Sequence, residues 1–216
     1  IGLARARNRL VITATQMMES MIHAPVPTRA EVSDVANAVM DDTDAVMLSA
    51  ETAIGKHPGK VVRAMAQVIV GAEKWQTSNR SDIQRAVGHF NFTDEAIAAA
   101  VMYTANHMDV RAIVALTESG STALWMSRIR SDIPIYAFTR HAATQRRVTL
   151  YRGVYPVAFD VTYPAPEQMY PAIFQRLLDE NLAAEGDLII VTKGELSGVT
   201  GGTNTMKIIK VRRSPA

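Results

Sequence analysis

The sequence predicts an α/β protein whose second part is built on a mostly parallel five-stranded sheet. Short β-branched apolar runs alternate with longer stretches of helical periodicity, which is the pattern of βαβ units. Those runs are nearly continuous in apolar residues, as strands buried on both faces are, and a polar stretch near the middle separates two such regions. With 216 residues, 48% of them hydrophobic and 20% charged, the chain can bury one sizeable core or two modest ones, so disorder and small disulfide scaffolds are excluded.

In the first region, residues 10–14 (Leu-Val-Ile-Thr-Ala) and 45–49 (Ala-Val-Met-Leu-Ser) read as strands with a helix between them. Thr28 follows Pro27 and stands three residues before Glu31, so hydroxyl and carboxylate are spaced to satisfy each other's backbone amides at a helix start. Ala30, Val35, Ala36 and Val39 form the expected buried stripe of that helix. Pro58 suits the first turn of a second helix, running through Val61, Val62, Met65, Val68 and Ile69 to about Trp75. Residues 1–10 look like a helix already under way and do not begin with methionine, so the sequence is expected to be a piece of a longer polypeptide. The polar run that opens at Gln76 is the expected linker, which divides the chain into residues 1–75, 76–92 and 93–216.

After the linker, helices are expected near 94–106, 122–130, 142–150 and 167–184, and strands near 112–116, 133–138, 154–159, 188–192 and 206–211. Gly186 stands where a left-handed residue would end the last of these helices.

Charge and composition exclude several functions. Lysine and arginine number 23 against 21 aspartates and glutamates, so no general nucleic-acid-binding field is implied. Tyr103, Trp125, Tyr136 and Tyr170 are too scattered to stack bases and read as core or interface. Cysteine is absent, which removes disulfides and thiolate chemistry and suits a reducing compartment, so a cytoplasmic location is expected. No apolar run approaches the roughly 18 residues of a membrane span, and no secretory signal is visible. The P-loop, serine-elbow and dinucleotide glycine motifs are missing. The histidines, His23, His57, His89, His107 and His141, lack metal spacing and read as surface or cap residues.

Three polar segments fall at the carboxyl ends of strands, where parallel α/β proteins bind ligands. The first contains Thr13 and Thr15; its plainest reading is strand-forming threonines with satisfied hydroxyls, with Met17 and Met18 filling the core. The second is Ser49-Ala50-Glu51-Thr52, which brings a further small hydroxyl to the same rim. Thr15 and Ser49, with no histidine or lysine beside them, are poor nucleophiles and suit orienting a substrate or relaying a proton through water. Glu51 reads equally as a solvated rim residue or as a hydrogen-bond acceptor. The third segment is Thr117, Glu118, Ser119, Gly120, Ser121 and Thr122, whose amides, hydroxyls and glycine make a phosphate cradle at a helix start. An ordinary serine-capped helix has the same sequence signature, and Glu118 would repel an anion. The glycine-rich run 197–205 could close over this segment. Arg146, Arg147 and the basic residues over 207–213 read as solvated faces, with ligand pairing open.

Ile-Thr-Ala-Thr-Gln-Met-Met-Glu-Ser-Met over 12–21, Pro-Thr-Arg-Ala-Glu over 27–31 with Asp-Val-Ala-Asn-Ala-Val over 34–39, and Asp-Ala-Val-Met-Leu-Ser-Ala-Glu-Thr over 44–52 strongly resemble the pyruvate kinase family. The resemblance continues through 117–123, Thr139-Arg140, 150–154 and 203–205, and so covers essentially the whole chain. It implies that residues 1–75 are the last two β/α units of a TIM-type barrel and residues 93–216 a C-terminal regulatory domain. It implies an enzyme that transfers a phosphoryl group from phosphoenolpyruvate to ADP, giving pyruvate and ATP, as a homotetramer with Mg2+ and K+ as cofactors. Thr15 would lie beside the three-carbon end of the substrate, and Ser49 on the proton path to the enolate. In relatives activated by sugar phosphates, the loop matching Thr117 to Thr122 holds a phosphorylated small-molecule effector. Some relatives carry basic residues where this sequence has Glu118 and Ser121, so a sugar monophosphate or a nucleoside monophosphate is expected. The family's catalytic lysine, magnesium-binding acids and potassium ligands belong to earlier strands, so this chain alone is expected to be inactive. The alternative reading is a non-catalytic, phosphometabolite-binding regulatory module; neither reading involves nucleic acid or membrane.

Overall fold

In a computed structural model, which describes residues 1–14, 16–78, 90–160, 166–194 and 202–213, parallel strand pairing organises two separate units, Ile1–Ala86 and Val87–Ala216. The first contains α1 (Gly2–Ala6), β1 (Ile12–Ala14), a 3-10 turn (Glu19–Ile22), α2 (Arg29–Met40), β2 (Ala45–Met47), α3 (Ala50–Ala53) and α4 (Pro58–Ser78). β1 and β2 pair in parallel, with Ile12 opposite Ala45 and Ala14 opposite Met47. Both strands are shorter than expected. The Val11 N–H donates to the Asp44 carboxylate at 2.9 Å, and Ser49 already stands at the N-cap position of α3.

α2 starts as its spacing predicts. The Thr28 hydroxyl accepts the Glu31 N–H at 3.3 Å while the Glu31 carboxylate accepts the Thr28 N–H at 2.7 Å. Its buried face is Glu31, Val35, Ala38 and Val39, which corrects the stripe expected from sequence: Ala30 is exposed, and only the observed set closes on one side of a 3.6-residue helix. On α4, Val61 and Met65 are buried but Val62 is exposed. α4 also continues through residues 76–78, into the stretch expected as linker. Gln76 holds it there, donating from its side-chain amide to the carbonyls of Val39 and Met40 at 3.2 and 2.9 Å. The core of this unit is rich in methionine: Met17, Met18, Met21 and Met65 pack with Val35, Ala38 and Val61. Flexible thioethers fill the irregular space under short strands and turns.

The second unit contains α5 (Thr93–His107), β3 (Ala112–Leu116), α6 (Ser121–Ser127), β4 (Ile135–Thr139), α7 (Ala142–Val148), β5 (Val154–Ala158), α8 (Pro166–Asp179), β6 (Leu188–Gly194) and β7 (Thr203–Lys210). The sheet runs β5-β4-β3-β6-β7; the first four strands are parallel and β7 is antiparallel to β6. This is the mostly parallel five-stranded sheet that the alternation predicts. β3, at its centre, is buried at every residue, as a continuous apolar run requires. One face carries a core in which Phe138 and Phe159 meet at 5.1 Å between ring centroids and Ile173 and Leu177 of α8 cover them.

α8 ends at Asp179, before the boundary expected from Gly186. Asn181 takes the left-handed conformation (φ 55°), its N–H donating to the Leu178 carbonyl at 3.1 Å and that of Leu182 to Leu177 at 2.8 Å. That pair of bonds closes a helix. Gly186 (φ 91°) instead shapes the turn that leads into β6, where its N–H donates to Val211 at 2.9 Å.

Candidate functional site

Because β1 and β2 are parallel, the chain leaves both strands at one rim. Thr15 lies outside the described residues. The Thr13 hydroxyl donates to the Thr43 hydroxyl at 2.9 Å and is a satisfied strand residue. Ser49 is exposed and stands at the N-cap position of α3 without a side-chain capping bond. Its N–H donates to the Glu51 carboxylate at 2.8 Å, and its carbonyl accepts the N–H groups of Thr52 and Ala53 at 3.2 and 2.9 Å. The Ser49 backbone is therefore fixed on both sides, with the residue open to solvent.

Two buried carboxylates organise this rim, and sequence reasoning gave them only part of that role. Glu51 is 4% exposed, so it is no solvated rim residue; its Oε1 accepts the Met18 N–H at 3.3 Å and its Oε2 the Ser49 N–H. Glu31, 8% exposed, reaches beyond its capping box to accept the Ser20 N–H at 2.7 Å and the Ser20 hydroxyl at 2.6 Å. Burial pushes both carboxyls upward. The hydrogen bonds together outweigh it and hold both below the ordinary glutamate value, while the charge of Glu31 pushes Glu51 slightly back. An acidic residue within the first turn of a helix is the signal that could have pointed to both.

Mg2+ or K+ would need oxygens aimed at a shared point. The oxygens of Glu31 and Glu51 are taken up by N–H and O–H donors, and among the described residues no three His, Asp or Glu side chains converge. The described acidic and histidine side chains do not fit Mg2+.

The second rim follows β3. Thr117 is buried and its hydroxyl accepts the Gly120 N–H at 2.8 Å. Gly120 is left-handed (φ 84°), and a Cβ there would lie 2.8 Å from Val148 Cγ1, so the tight turn into α6 requires glycine. Ser119 and Ser121 are half-buried and joined through their hydroxyls at 3.2 Å. Thr122 is buried, its hydroxyl sharing a 2.6 Å hydrogen bond with that of Thr203 at the start of β7. The Glu118 carboxylate does not stand free before this loop; it pairs with Arg140 at 3.4 Å and with His141, whose ring approaches it closely. Thr144 donates to the Glu118 carbonyl at 2.7 Å and Arg147 to that of Ser119 at 3.5 Å. Of the six residues singled out, Thr117 and Thr122 thus spend their hydroxyls internally, and Ser119 and Ser121 are the hydroxyls nearest solvent. Residues 197–201 of the glycine-rich run lie outside the described residues.

No helix among the described residues is long and apolar enough to cross a membrane. Residues 1–62 match the family model described as pyruvate kinase, barrel domain, and residues 95–209 that described as pyruvate kinase, alpha/beta domain. Over 216 residues the chain is 52% identical to pyruvate kinase II of Salmonella typhimurium, covering 98% of this chain and 44% of that protein. It is 50% identical over 195 residues to pyruvate kinase of Haemophilus influenzae (90% of this chain, 40% of that one). To pyruvate kinase 2 of Synechocystis it is 41% identical over 213 residues (97% and 35%). The chain spans less than half the length of each of these relatives. With two adjoining family domains matched in order along it, the chain belongs to the pyruvate kinase family.

Proposed function

We propose that the chain is the C-terminal part of a cytoplasmic, homotetrameric pyruvate kinase. Residues 1–75 are the last two β/α units of its TIM-type barrel, 76–92 a linker and 93–216 its regulatory domain. The observation that carries this reading is the identity to pyruvate kinases along 98% of the chain. In the complete enzyme the bond from phosphorus to the enol oxygen of phosphoenolpyruvate breaks and one to the terminal phosphate oxygen of ADP forms. The enolate left behind takes up a proton at carbon and becomes pyruvate. Thr15 stands beside the three-carbon end of the substrate, and Ser49, exposed on a fixed backbone, lies on the path of that proton. The catalytic lysine and the ligands of Mg2+ and K+ lie outside this chain, so residues 1–216 alone are inactive. In the regulatory domain Ser119, Gly120 and Ser121, backed by Thr117, Glu118 and Thr122, take the phosphate of a sugar monophosphate or a nucleoside monophosphate. Pairing of Glu118 with Arg140 offsets the repulsion its charge would exert on an anion.

Assay of the full-length protein tests this reading. Phosphoenolpyruvate-dependent ATP formation is expected, with Ser49→Ala lowering kcat by at least about 100-fold. No ATP formation would overturn it, and effector binding without turnover would leave a regulatory module. Calorimetric titration of candidate monophosphates against Ser119→Asp tests the effector loop: undiminished binding refutes that location.

A further inference from the structure

We infer that Glu51 is a positioning residue of the substrate-side rim: its carboxylate ties the backbone that presents Ser49 to the backbone that follows β1. This rests on the role proposed above for Ser49. Glu51 is two residues beyond Ser49, yet its side chain turns inward and both its oxygens are used, on amides from two different loops. One amide, Ser49, follows β2; the other, Met18, follows β1 and lies 33 residues away in sequence. A planar carboxylate spans only about 2 Å between its oxygens, so two N–H groups that share it are held at nearly fixed separation. The far end of this strut is itself anchored, because Met17 and Met18 are buried in the methionine core. The near end is anchored too: a Cβ at Gly55 would lie 2.2 Å from the Glu51 carbonyl oxygen, so the turn leaving α3 closes directly on the Glu51 backbone. Glu51 makes no claim on the proton itself. It acts through Ser49, by fixing where that hydroxyl stands relative to the loop from β1.

An error of about 1 Å in such a placement costs on the order of 100-fold in rate. In the full-length enzyme, Glu51→Gln, which keeps the size of the side chain but gives one of the two amides a donor instead of an acceptor, is expected to lower kcat about 10- to 100-fold. KM for phosphoenolpyruvate should move less than about threefold, since substrate affinity is not what Glu51 sets. Exchange of the pyruvate methyl protons with solvent, the partial reaction assigned to Ser49, should fall in parallel with kcat. Unchanged kcat and exchange, or a loss seen in KM alone, overturns the inference. A measurement on the unmodified full-length enzyme guards against a variant that fails to fold. The amide proton resonances of Met18 and Ser49 should shift together through a single acidic transition, because both report one carboxylate; separate transitions, or none, refute the strut. If the unmodified full-length enzyme forms no ATP while the two amides still titrate together, the proposed function falls and Glu51 is a structural brace, with its positioning role overturned too.

Discussion

The two units shape the same feature, a polar turn at the carboxyl end of a parallel strand, by different chemistry. In the first, ionised carboxylates hold the turn, Glu31 to Ser20 and Thr28 and Glu51 to Met18 and Ser49. In the second, neutral hydroxyls close the turn from within, Thr117 to the Gly120 N–H and Thr122 to Thr203, while the Glu118–Arg140 ion pair lies on its outer side. The strands before these turns also differ in burial within residues 1–216. β3 is buried throughout, whereas Ile12 of β1 is 49% exposed and Met47 of β2 47% exposed. In the second unit the central strand is enclosed by apolar contact, while β5 and β7 keep exposed residues. The charge-assisted bonds of the first unit are about twice as strong as neutral ones and titrate.

Mutations can separate these two regimes. The largest effect is expected from Phe138→Ala, at about 3–5 kcal/mol, because Phe138 is fully buried against Phe159 in the second core. Denaturant unfolding followed by domain-specific probes should show the second unit melting early and the first unmoved; a common shift would mean that the two do not unfold independently. Next comes Glu31→Ala, at about 2–3 kcal/mol and confined to the first unit, since it strands the N–H groups of Ser20 and Thr28. This contribution has a defined pH dependence. Both folded carboxyls lie below the ordinary value of 4.5, so the stability they contribute is complete above that value and is lost as the pH falls through the lower, folded one. The melting temperature of the first unit should therefore drop on acidification below about pH 4, and Glu31→Gln should flatten that drop; an unaltered acid profile in the variant contradicts the assignment. The smallest effect is expected from Thr122→Val, about 1 kcal/mol in the second unit and independent of pH, read from its urea midpoint at pH 5 and pH 7.

What could be read in the sequence was local. The capping of α2 needs only Thr28 and Glu31, three residues apart, and the bounds of β3 follow from an uninterrupted apolar run. The end of α8 was misread for a local reason as well: glycine is the usual left-handed residue, but Asn181 reached that position first, five residues ahead of Gly186. The partners of Glu51 and Glu118 were not legible, although the acceptor role of Glu51 was one of its two readings. Each depends on a partner that only the fold brings near, Met18 at 33 residues and Arg140 at 22. The stripe of α2 failed because Glu31, an acid, occupies a core-facing position, and a hydropathy pattern gives such a residue to solvent.

Sheet order and chain order part company at β3. β4 docks beside it and β5 beside β4, in the order in which they are synthesised, but the other edge of β3 waits for β6, with Ala112 opposite Ile189. Thr122 likewise waits 81 residues for Thr203. A nascent chain that has emerged only as far as β5 therefore displays β3 as an open apolar edge, a ready template for foreign strands. The strand most thoroughly enclosed in the finished protein is the one left unguarded while the ribosome is still at work.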